Sequence, residues 1–165
     1  MAATYEPIAT TTLSTSATNI TFSSIPSTYT DLRLIWVGKL TAGGAGLRMN
    51  LNNNSSNIFS YTQLRGNGTT AASERSVNNS QALINYNLGS EPSFVTVDFF
   101  SYANTNIYKT MLTTASEDFN GSGTVIRTVN LFRNTSAIST ISIATLFGDN
   151  FVAGTTATLY GILKA

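Results

Sequence analysis

Apolar residues in this chain recur at every second position, in short runs broken by Gly, Asn and Ser, and no segment sustains the 3.6-residue spacing of an amphipathic helix. That alternation restricts the chain to strands half-buried in sheets. The clearest case is 32–39, where Leu32, Leu34 and Trp36 alternate with Arg33, Ile35 and Val37. Both sets are largely apolar, so this strand is predicted to be central and covered on both sides. Leu47, Met49 and Leu51 form a second inward set, with Arg48 and Asn50 outward. Further strands are read at 94–100, 107–114, 124–132, 139–146 and 157–163, with shorter ones at 6–12 and 19–22 and weaker ones at 61–64 and 82–86. In 124–132 the set Val125, Arg127, Val129, Leu131 competes with Ile126, Thr128, Asn130, Phe132 for the buried face, and the alternation does not choose between them. Thr70–Ser76 reads as a helical turn or two.

Turn residues separate these runs. Gly43-Gly44-Ala45-Gly46 and Gly148-Asp149-Asn150 are breaks, and Asn67-Gly68 and Asn120-Gly121 are dipeptides that favour type I′ turns. The stretches 50–58 and 76–81 are amide-rich loops of the kind that form contact surface. The expected fold is all-β: a single-domain antiparallel β-sandwich, jelly-roll-like, of about nine or ten strands. With 165 residues the chain has room for one such core without disulfide or metal staples.

Composition narrows the chemistry. Only 10% of residues are charged, against a usual share of roughly 25%, while 62 of the 165 are Ser, Thr or Asn. Net charge is +1 with no basic run, so the electrostatic footprint of a nucleic-acid binder is missing. There is no Cys and no His. Disulfides, thiolate metal sites and Ser-His-Asp or Cys-His catalysis are therefore excluded. The expectation is a protein that is not an enzyme, with no catalytic, cofactor-binding or metal-binding residues and no cofactor. No basic-then-apolar leader and no apolar run of about 20 residues is present, which predicts synthesis in a cytoplasm and no membrane partner.

The remaining candidates weigh towards structure. The acidic residues Glu6, Asp31, Glu74, Glu91, Asp98, Glu117, Asp118 and Asp149 are scattered. Asp98, inside an apolar strand, is expected to be exposed or paired with a base. Glu117-Asp118 with Asn120 lacks calcium-loop spacing and reads as a solvated turn. The Gly43–Gly46 run leads into a strand without Lys-Ser/Thr and is no phosphate cradle. Seven Asn-x-Ser/Thr triplets, at Asn19, Asn53, Asn54, Asn67, Asn78, Asn120 and Asn134, follow from the composition. The tyrosines 5, 29, 61, 86, 102, 108 and 160 and the lone Trp36 are expected to pack in the core or at an interface, hydroxyls at the rim.

The segment 20–32, Ile-Thr-Phe-Ser-Ser-Ile-Pro-Ser-Thr-Tyr-Thr-Asp-Leu, resembles a recurrent signature of tailed-bacteriophage virion structural proteins, cyanophages included. The flanking pieces follow in the same order: Tyr5-Glu6-Pro7-Ile8-Ala9, Tyr61 and Leu64 with Gly66-Asn67-Gly68, Tyr102-Ala103-Asn104, Lys109-Thr110, Leu131-Phe132-Arg133, Ala137-Ile138 and Leu159-Tyr160-Gly161-Ile162. The resemblance spans almost the whole chain. It implies a virion structural protein, foremost a capsid cement or decoration protein on the outer surface of the head that binds neighbouring major capsid protein subunits. The alternative is a tail-fibre, collar or appendage protein that binds a host-surface glycan. A homotrimer is expected, with a dimer as alternative. No family site residue carries over. Residues 1–16, Thr-rich and poor in apolar positions, are read as an N-terminal arm or edge strand, able to add to a neighbour's sheet, and 17–165 as the sandwich domain.

Overall fold

A computed structural model describes residues 4–43, 45–89 and 91–163. Gly44 of the glycine run, the first three residues of the expected arm and the last two of the sandwich domain lie outside them. The described residues form twelve strands rather than nine or ten: β1 (Tyr5–Thr12), β2 (Asn19–Phe22), β3 (Asp31–Gly38), β4 (Ala45–Leu51), β5 (Phe59–Gly66), β6 (Ala71–Asn79), β7 (Ala82–Leu88), β8 (Ser93–Phe100), β9 (Lys109–Asp118), β10 (Gly123–Phe132), β11 (Ile141–Thr145) and β12 (Thr156–Ile162). They make two antiparallel sheets, one of eight strands in the order β1-β12-β3-β8-β9-β10-β5-β6 and one of four in the order β2-β11-β4-β7. Only β5–β6 and β8–β9–β10 follow one another within a sheet; every other consecutive pair crosses between sheets, so the chain weaves the two layers into one sandwich.

The core lies between the sheets. Leu32, Leu34 and Trp36 of β3, Val95, Val97 and Phe99 of β8, and Ala157 and Leu159 of β12 meet Ile20, Phe22, Leu47, Met49, Leu51, Ile141 and Ile143 from the smaller sheet. Trp36 packs on Phe151 at 5.6 Å between ring centroids, and Phe59 stacks on Phe132 at 4.7 Å. Each such fully buried side chain contributes about 1.5–3 kcal/mol relative to exposure. Gly161 is required where β12 passes the ring of Tyr29, since a Cβ there would stand 2.3 Å from it.

Four expectations are corrected. Residues 70–76 are not helical: β6 runs from Ala71 to Asn79 and absorbs much of the loop read at 76–81. Its ladder with β5 overrides a weak local preference. β3 is central but covered on one side only, for Arg33, Ile35 and Val37 face outward and Val37 is 45% exposed. Asn67-Gly68 is not a type I′ turn: Gly68 has φ of 85° but Asn67 is not left-handed, and its Oδ1 instead accepts N–H bonds from Thr69 (3.1 Å) and Thr70 (2.7 Å). By contrast Asn120 and Gly121 both have positive φ, 54° and 144°, as a primed turn requires. The fourth concerns Glu117. It is not part of a solvated turn but ends the inner face of β9, 7% exposed.

The ambiguity in β10 is resolved in favour of Ile126, Thr128, Asn130 and Phe132 as the buried set. This face is the more polar of the two. Asn130 explains why: its side-chain amide donates to Leu83 O (2.8 Å) and accepts from Leu83 N–H (3.2 Å), clamping β7 to the large sheet as a strand partner would. Gln63 Nε2 donates to Thr128 Oγ1 in the same buried layer. Lys109 also turns inward, its ammonium donating to the carbonyls of Asn104, Ile107 and Thr135.

Candidate functional site

Two surfaces stand out, on opposite sides of the large sheet. The first is its outer face. Register places Val37, Phe94, Ser116 and Val125 in one row across β3, β8, β9 and β10, and Asp98, Leu112 and Val129 in another. Phe94, Phe100, Val125, Val129 and, on β5, Leu64 are between 42% and 63% exposed. The surface is mostly neutral, with the hydroxyls of Thr96, Thr110 and Thr114 between the apolar side chains. Asp98 lies here and is paired across the strands: Arg33 donates to it from Nε (2.6 Å) and a terminal nitrogen (3.0 Å). That hydrogen bond raises the guanidinium pKa still further, and Arg33 also sits over the Tyr5 ring at 5.6 Å.

The second surface arises because the large sheet extends beyond the small one. β7 ends the four-stranded sheet and packs across β5, β8, β9 and β10. β6 lies past it and has no buried position. A groove therefore opens between the β5–β6 overhang and β7, with Tyr86 at its middle. One recess, of 450 Å³, is lined by Arg65, Asn67, Thr70, Ala72, Tyr86 and Thr124 among others. The adjoining one, of 320 Å³, takes in Arg48, Tyr61, Asn79, Gln81, Tyr86 and Phe147. Arg65 stacks over Tyr86 at 5.2 Å. Tyr61 donates to Glu74 (2.7 Å), and burial, then this hydrogen bond, pushes its hydroxyl up to about 12, so it remains a donor. Two buried nitrogens of the second recess, Arg48 Nε and Asn79 Nδ2, have no hydrogen-bond partner among the described residues.

The carboxylates do not converge. Glu6 accepts from Tyr29, Asp31 from the Ser101 amide, Asp118 from the Asn120 amide, and Asp149 from Thr41 and the Ala42 amide. Among the described residues no three Asp or Glu side chains gather where a metal would sit. Of the tyrosines, Tyr102 is fully buried, while Tyr5, Tyr86 and Tyr108 are about half exposed. The amide-rich loop at 50–58 is anchored: Asn52 accepts from the amides of Ser139 and Thr140 and donates to Ala137 O. Sequence reading did not find the groove, since its residues come from β4, β5, β6, β7, β10 and the loops after β5 and β11; Arg48 alone was placed on the correct, outward side. A scan against protein-family models and searches of curated proteins and of solved structures found no match to this chain.

Proposed function

We propose that this chain is a virion structural protein of a tailed phage, a cement protein that docks on the outside of the head and ties neighbouring major capsid subunits together. The observation that carries the reading is the uncovered outer face of the eight-stranded sheet, with valines, phenylalanines and a leucine exposed on β3, β8, β10 and β5. Contiguous apolar surface of this kind marks protein contact. Its charges are few and one pair is already neutralised by Arg33 and Asp98, so docking desolvates little net charge. Weak contacts of this type become effective when symmetry repeats them around a head, which is also the reason to expect a trimer.

The reading is tested by incubating purified protein with assembled heads that lack it. Occupancy on the order of hundreds of copies per head is expected, set by lattice symmetry. Val125→Asp and Val129→Asp are both solvent-exposed changes and should leave the fold intact while lowering occupancy roughly tenfold or more. Heads that take up no protein, or take up the Asp variants as well as the parent, would overturn it.

A further inference from the structure

We propose that the groove around Tyr86 is a binding site for a carboxylate-bearing saccharide, separate from the docking face. Three features converge on that chemistry. The first is aromatic surface. Phe147 is 77% exposed, and Tyr86, 47% exposed, stands between the two recesses. Rings of this kind pack against the apolar C–H faces of a pyranose. The second is unsatisfied donors. Arg48 Nε and Asn79 Nδ2 are buried without acceptors, whereas Asn79 Oδ1 is already held by Ser76 Oγ at 3.1 Å. Acceptor oxygens brought into the recess would satisfy these two nitrogens once the Arg48 and Asn79 side chains turn towards it. The third is uncompensated positive charge. Arg33–Asp98 is the one salt bridge among the described residues, so neither Arg48 nor Arg65 has a carboxylate partner. The nearby Glu74 is engaged by Tyr61. Guanidinium groups left in this state match a planar carboxylate in charge and geometry.

The aromatic part of the platform is built before any ligand arrives. The loop bearing Phe147 is fixed at both ends: Leu146 N–H donates to Gly46 O (2.8 Å), Thr145 Oγ1 to Asp149 O (2.7 Å), and the Asp149 carboxylate accepts from Thr41 and the Ala42 amide. Arg65 is held over Tyr86. Pre-ordering of this kind spares the ligand the entropy of assembling its own site. Two cations and two rings would also suit a nucleotide, but the chain's net charge of +1 provides no path for a phosphate backbone beyond the groove.

The test is an array of uronate- and sialate-terminated oligosaccharides printed beside their neutral counterparts, with oligo-dT as a further probe. Carboxylated glycans should bind at least roughly tenfold more tightly than neutral ones. Phe147→Ala and Tyr86→Ala remove exposed side chains and should keep the parent unfolding midpoint while losing roughly tenfold or more in affinity. Arg48→Gln should erase the preference for the acid. No binding to any carboxylated glycan, equal binding to the neutral set, a preference for oligo-dT, or affinity that survives all three substitutions would overturn the proposal.

Discussion

Glu117 shows what one buried carboxylate does to pH behaviour. It is 7% exposed and accepts from the Gly89 amide (2.9 Å) and Ser93 Oγ (3.4 Å). Burial raises its pKa above the usual carboxylate range, and these bonds offset part of that rise. The native state then holds the proton more tightly than the unfolded chain, so Glu117's contribution to stability is fully present below its unfolded pKa. That contribution is lost as pH rises through the raised folded value. The unfolding midpoint is expected to fall across that window, and Glu117→Gln, which keeps an acceptor for Gly89, should remove this component of the slope in a pH series of thermal melts. Asp149 acts oppositely: Thr41 Oγ1, with backbone amides, holds its pKa down, so its contribution is present at neutral pH and lost on acidification through its lowered folded pKa. Asp149→Asn should flatten the acid limb only. The sequence left Asp98 to be exposed or paired, and the pairing with Arg33 follows from two alternating strands in register. The burial of Glu117 was not legible, because the inner face of β9 begins with Lys109 and ends with Glu117 and so reads as a surface at both ends.

At the scale of elements, alternation revealed most of the strands but not which faces are covered: it misread β3 and left β10 open, for one cause. In β3 both faces are apolar, and in β10 the exposed face, with Val125, Val129 and Leu131, is more apolar than the buried one. Periodicity reports which residues share a face; it does not report what lies opposite. The inversion in β10 has two physical sources. Its inner residues include polar side chains that satisfy β7, and its outer residues belong to the uncovered face. β6 escaped detection because Ala71–Asn79 has no buried position, leaving no apolar alternation to read. The Asn130 clamp provides a direct test. Asn130→Ala removes both bonds and strands the buried N–H and C=O of Leu83, a loss of about 2–4 kcal/mol. Hydrogen exchange should show the protection lost first along β7, while β3, β8 and β12 keep theirs. Equal loss throughout would mean that β7 unfolds only with the whole sandwich.

At the scale of the molecule, the eight-against-four arrangement leaves two surfaces open, and the same strands serve both. On β5 the side chain of Leu64 points to the outer face and that of Arg65 into the groove; on β10 Val125 points outward and Ile126 inward. A strand pleat separates these sites sterically while holding them rigidly together, so occupancy of one need not disturb the other. A domain seated on a lattice by its outer face would then keep the Tyr86 groove free. The consequence is a pattern of independence that neither site alone predicts. Val125→Asp should lower attachment to heads roughly tenfold or more and leave glycan affinity within about twofold, and Tyr86→Ala should do the reverse. In the doubly substituted chain the two losses should add without coupling, as sites without shared partners do. The measurement is the four-member cycle, with head occupancy and glycan affinity read on each member. A coupling above about 0.5 kcal/mol would place both activities on a single surface, and the groove would then be part of the docking interface.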